Sequence, residues 1–188
     1  MVWRSLTTMM FCIAAAWFTL STQPARRVTI NVAHPYHETE KPTDAAVLPP
    51  NVLPAPEYRA IVEQMLRASE TFRRQCARIR RSSGLTVTVQ PWLSPDDVDH
   101  PKATTIFSRG PMGQLDALVR VSAPADPIEL IAHEFEHILE QLDDVDLRVM
   151  AARHDSGVHL VAGVDGFETD RAIAAGRRVA AEVKHAVR

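Results

Sequence analysis

Apolar residues recur at helical spacing near the middle of the chain: Ile61, Met65, Leu66, Phe72, Cys76 and Ile79, with arginines on the other face. The spacing predicts one helix over 57–81, closed by Ser82-Ser83-Gly84. Leu85 to Gln90 then alternates strictly and reads as a strand, followed by an Asp- and Pro-rich loop from Pro91 to Lys102. Thr104–Phe107 and Leu115–Val121 are two further strands, joined by the hairpin-turn residues Arg109-Gly110-Pro111-Met112-Gly113. Asp126-Pro127-Ile128-Glu129 supplies an N-cap, a proline at the first helical position and an acid three residues after the cap. From there Ile128, Ile131, Ala132, Phe135, Ile138, Leu139 and Leu142 fall within an arc of roughly 120°, a core-facing stripe. A short strand at Val158–Val161 and a last helix from Phe167 to Val187 complete the pattern. The expected fold is α+β: a helix, a small mostly antiparallel sheet of three or four strands, then two helices, in one domain over 57–188.

Upstream of that domain the pattern changes. Arg4 precedes an uncharged apolar run from Leu6 to Leu20, shorter than the ~20 apolar residues of a membrane span. Residues 1–25 are therefore expected to be an export signal, with an uncleaved N-terminal anchor as the alternative, and the mature protein to be periplasmic or secreted. Residues 26–56 read as a proline-rich linker, with six prolines between 28 and 56; His34 and His37 within it are expected to be solvated. Of two cysteines, Cys12 lies in the signal, so Cys76 alone would remain and no internal disulfide is expected. A net charge of −2 offers no basis for nucleic-acid binding.

The chemistry gathers on the helix that begins at Pro127. His133-Glu134-Phe135-Glu136-His137 is His-Glu-x-x-His, which puts two imidazoles on one helix face with a carboxylate beside them. Both histidines lie opposite the apolar stripe, so they face a cleft or a neighbouring element. A catalytic metal site normally takes three protein ligands. Glu168 is the expected third, because it heads an apolar, small-residue face of the last helix shared with Ala172, Ala175, Val179, Val183 and Ala186. An acid on a buried face is costly unless paired or bound to metal. Ala172, Ala175 and Gly176 would let the last helix approach the metal helix closely. Asp143, His154 and His159 are the rival ligands.

This pattern, two motif histidines and a glutamate on a later element, resembles the gluzincin branch of the zincin metallopeptidases across residues 57–188. It departs from it at Ala172, where many gluzincins carry an aspartate that orients a histidine, and at Glu136, a position usually uncharged. The resemblance implies one zinc ion held by His133, His137 and Glu168, hydrolysis of a peptide or protein substrate, and Glu134 as general base. It also implies a substrate laid along an edge strand beside the metal helix, for which Leu115–Val121 is the candidate, and an oxyanion-stabilising group among Tyr58, His159 and Arg171. A non-catalytic exported metal-binding or structural protein is the alternative.

Overall fold

A computed structural model describes residues 47–92, 102–122, 126–161 and 166–188. The expected export signal, His34, His37 and most of the loop from Pro91 to Lys102 lie outside the described residues. Among the described residues, no helix is long and apolar enough to cross a membrane. The described residues form an α+β architecture of five helices, a mixed four-stranded sheet and a two-stranded hairpin.

The first helical stretch is two helices, α1 (Pro56–Ala68) and α2 (Glu70–Arg81), and not one. Apolar spacing runs unbroken through both, so periodicity alone does not reveal the break. Ser69 makes it: its backbone is extended, its N–H donates to the Met65 carbonyl, and its hydroxyl accepts from the Phe72 N–H as the N-cap of α2. Glu182, from the last helix, accepts from both the Thr71 N–H (3.0 Å) and the Thr71 hydroxyl (2.7 Å), so the start of α2 is capped from across the domain.

The sheet order is β1-β2-β4-β3, from β1 (Val52–Pro54), β2 (Leu85–Pro91), β3 (Ala103–Arg109) and β4 (Leu115–Val121). β1 pairs parallel to β2 and β2 parallel to β4; β3 and β4 alone are antiparallel. The sheet is thus mixed, contrary to the mostly antiparallel expectation. The predicted β3–β4 hairpin forms, with Gly113 supplying a positive φ of 82° in its turn, but β4 inserts between β2 and β3. Burial explains the order: Ala117, Val119 and Val121 of β4 are almost wholly inaccessible, whereas β3 is partly or fully exposed along its length. The more apolar strand takes an inner place, and β3, not Leu115–Val121, is the edge strand beside α3.

β1 arises from the expected linker, and Val52, 1 % exposed, joins the core. Asn51 fixes it by donating from Nδ2 to the carbonyls of Ile79 (2.8 Å) and Leu85 (3.0 Å). The core lies between one sheet face (Leu85, Val87, Val89, Ala117, Val119) and α1, α2 and α3 (Pro127–Leu142), with Phe72 against Phe135 at ring centroids 5.2 Å apart. Beyond α3 come the short α4 (Leu147–Ala151), the hairpin of β5 (Val158–Leu160) and β6 (Phe167–Thr169), and α5 (Asp170–Ala186). α5 lies against α3, where Gly176 permits the contact: a Cβ there would sit 2.7 Å from the Glu129 carbonyl oxygen and 3.2 Å from the His133 Cβ.

Candidate metal centre

α3 begins as its sequence indicates. Asp126 accepts from the Ile128 N–H, Pro127 occupies the first turn, and Ile131, Ala132, Phe135, Ile138 and Leu139 are buried. One turn apart on the opposite side, His133 and His137 bring their Nε2 atoms to 3.2 Å, with ring planes 74° apart.

Glu168 joins them, but from a strand. α5 begins at Asp170 with Thr169 as its N-cap, so Glu168 lies in β6, paired in register with His159 of β5. The apolar face of α5 does not include it. Glu168 Oε1 sits 3.2 Å from His133 Nε2 and 3.7 Å from His137 Nε2, and also accepts from the Thr169 N–H at 2.8 Å. Two imidazole nitrogens and one carboxylate oxygen therefore converge on a common point, and the group could hold a metal ion.

The surrounding hydrogen bonds hold these atoms in place. His137 Nδ1 lies 2.8 Å from Glu140 Oε2, while Glu140 Oε1 accepts from the Thr169 hydroxyl at 2.7 Å. A carboxylate that accepts on both oxygens requires the hydrogen on Nδ1, which leaves the Nε2 lone pair of a neutral ring directed at the shared point. Burial works to lower the His137 pKa, but the Glu140 hydrogen bond and the charges of Glu134, Glu140 and Glu168 outweigh it and raise it. For Glu168 the opposite balance holds. Burial raises its carboxyl, and the His133 hydrogen bond and charge bring it below the ordinary value. The carboxylates around the two rings thus favour positive charge at the point they share.

Glu134 follows His133 in sequence and is 4 % exposed. Its Oε2 accepts from the Thr105 hydroxyl of β3 at 2.7 Å. Burial pushes its pKa up, against the lowering pull of that hydrogen bond and of the two histidines. His133, His137, Glu168, Glu134 and strand β3 share one cleft of about 700 Å³. Its walls are Ala103, Thr105 and Phe107 of β3, Leu130 of α3, Val145 and Leu147 beyond α3, and Val161 and Phe167 of the hairpin region; Lys102 and Arg148 add positive charge.

The rival ligands lie elsewhere. Asp143 caps the C-terminus of α3 and pairs with Arg78 and Arg171. His154 is fully exposed, and His159, largely exposed, faces Asp170 at 3.2 Å. Nor does the cleft include any of the three oxyanion candidates. The Tyr58 hydroxyl donates to the Val121 carbonyl inside the core, and Arg171 donates from Nε to Glu136 Oε1 at 2.6 Å. That same pair accounts for the unusual Glu136, which is also held by Gln75 Nε2 at 2.7 Å.

Thr105, Glu140 and Thr169 are the site residues that pattern reading passes over. Two of them carried a local signal. Glu140 lies three residues after His137 on the same helix face, and Thr169 is a standard N-cap residue ahead of α5. Thr105 reaches the site only through sheet pairing. No family model matches this chain, and no curated protein or solved structure matches it.

Proposed function

We propose that this protein is an exported zinc-dependent peptide hydrolase, with His133, His137 and Glu168 as metal ligands and Glu134 as general base. One observation supports it above the others. Tetrahedral zinc with bonds of about 2.0–2.1 Å needs ligand atoms about 3.3–3.4 Å apart. The three ligand atoms here are separated by 3.2, 3.2 and 3.7 Å, with the cleft open beside them. Two imidazoles and one carboxylate, leaving a position for water, is the composition of a hydrolytic zinc site.

Zinc bound there would acidify a water molecule and polarise a carbonyl. The rest falls to the chain. Glu134, raised by burial and held at Oε2 by Thr105, accepts the proton of the attacking water and returns it to the leaving amine. β3 carries Thr105 and is an edge strand of the sheet, so an extended peptide adding to its outer side runs beside the cleft. Phe107, Leu130, Leu147 and Phe167 give that cleft apolar walls suited to an uncharged side chain next to the cleaved bond. A non-catalytic metal-binding role draws on one observation, that Tyr58, His159 and Arg171 all lie outside the cleft.

Casein hydrolysis separates the two. The wild-type chain should cleave it, lose activity to a chelator and regain it with zinc. Glu134→Gln should keep its zinc and lose about 10²–10⁴ in rate, because it removes a base and not a ligand. Hydrolysis that survives the chelator, or a Glu134→Gln variant of wild-type activity, would overturn the proposal.

A further inference from the structure

Glu140 is 3 % exposed, and a carboxylate so deeply buried is costly unless its oxygens are used. Both are, and by groups from different elements. Oε2 takes His137 Nδ1 of its own helix, and Oε1 takes the Thr169 hydroxyl across the α3–α5 contact. Thr169 in turn donates its backbone N–H to Glu168 Oε1, the same oxygen that faces both histidines. Its hydroxyl, while donating to Glu140, accepts from the Ala172 N–H at 3.0 Å, so the rotamer is set by the start of α5. The hydrogen bonds run as a circuit from His137 through Glu140 and Thr169 to Glu168, whose Oε1 faces the Nε2 atoms of the two histidines.

We infer that Glu140 and Thr169 form a yoke that positions two of the three metal ligands together: Glu140 orients the His137 ring, and Thr169 ties the carboxylate of Glu168 to that orientation. Both are positioning residues, and the inference rests on the metal-centre reading above. The circuit needs a carboxylate. Its two oxygens face two donors, so an amide at this position satisfies one and sets its own NH2 against the other. On the gluzincin-like reading Glu140 takes the part of the orienting aspartate, whose position is held here by Ala172, wholly buried on α5. The orienting acid thus lies on the same helix as the histidine it holds, and the yoke links α3 to the hairpin that delivers Glu168.

Zinc affinity of the full-length chain, measured by competition with a chromophoric chelator, tests this without reference to activity. Glu140→Gln should weaken zinc about 10–100-fold, as loss of an outer hydrogen-bond partner does. Thr169→Val, which removes the donor to Glu140, should weaken it as well, and Thr169→Ser, which retains the hydroxyl, should restore it. A contact that served packing alone would lower the unfolding midpoint and leave the affinity of the folded protein unchanged. Wild-type affinity in both Glu140→Gln and Thr169→Val, with Glu168→Ala impaired, would overturn the yoke and leave the metal centre standing. A wild-type chain that takes up no zinc would overturn both.

Discussion

Replacing Gly176 with alanine tests how closely α3 depends on α5. The added Cβ would sit 2.7 Å from the Glu129 carbonyl oxygen, against about 3.4 Å for an ordinary contact, and 3.2 Å from the His133 Cβ. The nearest atom belongs to the backbone of α3 and has no rotamer to escape through, so the two helices must part by several tenths of an ångström. Two terms of opposite sign decide the result. Alanine gains about 0.8–1.0 kcal/mol in intrinsic helix propensity over glycine. Overpacking of a close contact costs about 1–3 kcal/mol. Because backbone meets backbone, the overpacking should win, giving a net loss of up to about 2 kcal/mol in urea unfolding. Gly84→Ala is the matched control, since no atom lies within 4 Å of its added Cβ and its stability should stay level or rise slightly. Zinc affinity should also fall in Gly176→Ala, because the displaced contact includes His133. A Gly176→Ala protein as stable as wild type would show that α3 and α5 do not pack as described.

Acid stability should report two carboxylates that do not line the cleft, Glu182 and Asp143. Burial raises Glu182, but hydrogen bonds from Ser69 and Thr71 outweigh it and hold its pKa below the ordinary value. Its contribution is therefore present at neutral pH and lost as pH falls from the unfolded carboxyl's pKa through the lowered one, and Glu182→Gln should flatten that part of the stability curve. Asp143, lowered chiefly by its hydrogen bond with Arg78, has the same sign, and Asp143→Asn should act likewise with a smaller effect because the pair is more exposed. Unchanged acid sensitivity in both variants would contradict these assignments.

Elements whose cause is local were legible in the sequence. α3 starts where Asp126 and Pro127 require, the middle of its apolar stripe is buried with Ile128 and Leu142 partly so, and the β3–β4 turn has its glycine at the positive φ. Where non-local packing decides, pattern reading fails. Ser69 breaks a helix whose apolar spacing continues unchanged, because the stop is a hydroxyl satisfied partly by Glu182 from the other end of the domain. Strand order was hidden because a hairpin fixes only that β3 and β4 are neighbours, and burial then puts β4 inside. β1 was hidden by prolines that read as linker, although Pro54 closes an edge strand, where proline is tolerated. Glu168 was singled out through a helical face to which it does not belong, and β6 brings it to the histidines instead. The N-cap at Thr169 would have placed it outside the helix. The Thr105–Glu134 bond depends on sheet register and had no local signal.

Zinc uptake by the full-length chain and its Glu168→Ala and Asp143→Ala variants decides whether His133, His137 and Glu168 form one metal site. Elemental analysis and chelator competition should give about one zinc per wild-type and Asp143→Ala chain, as a single three-ligand site requires. Glu168→Ala, left with two imidazoles, should bind far more weakly. Wild-type affinity in Glu168→Ala, or a folded wild-type chain that takes up no zinc, would contradict the account.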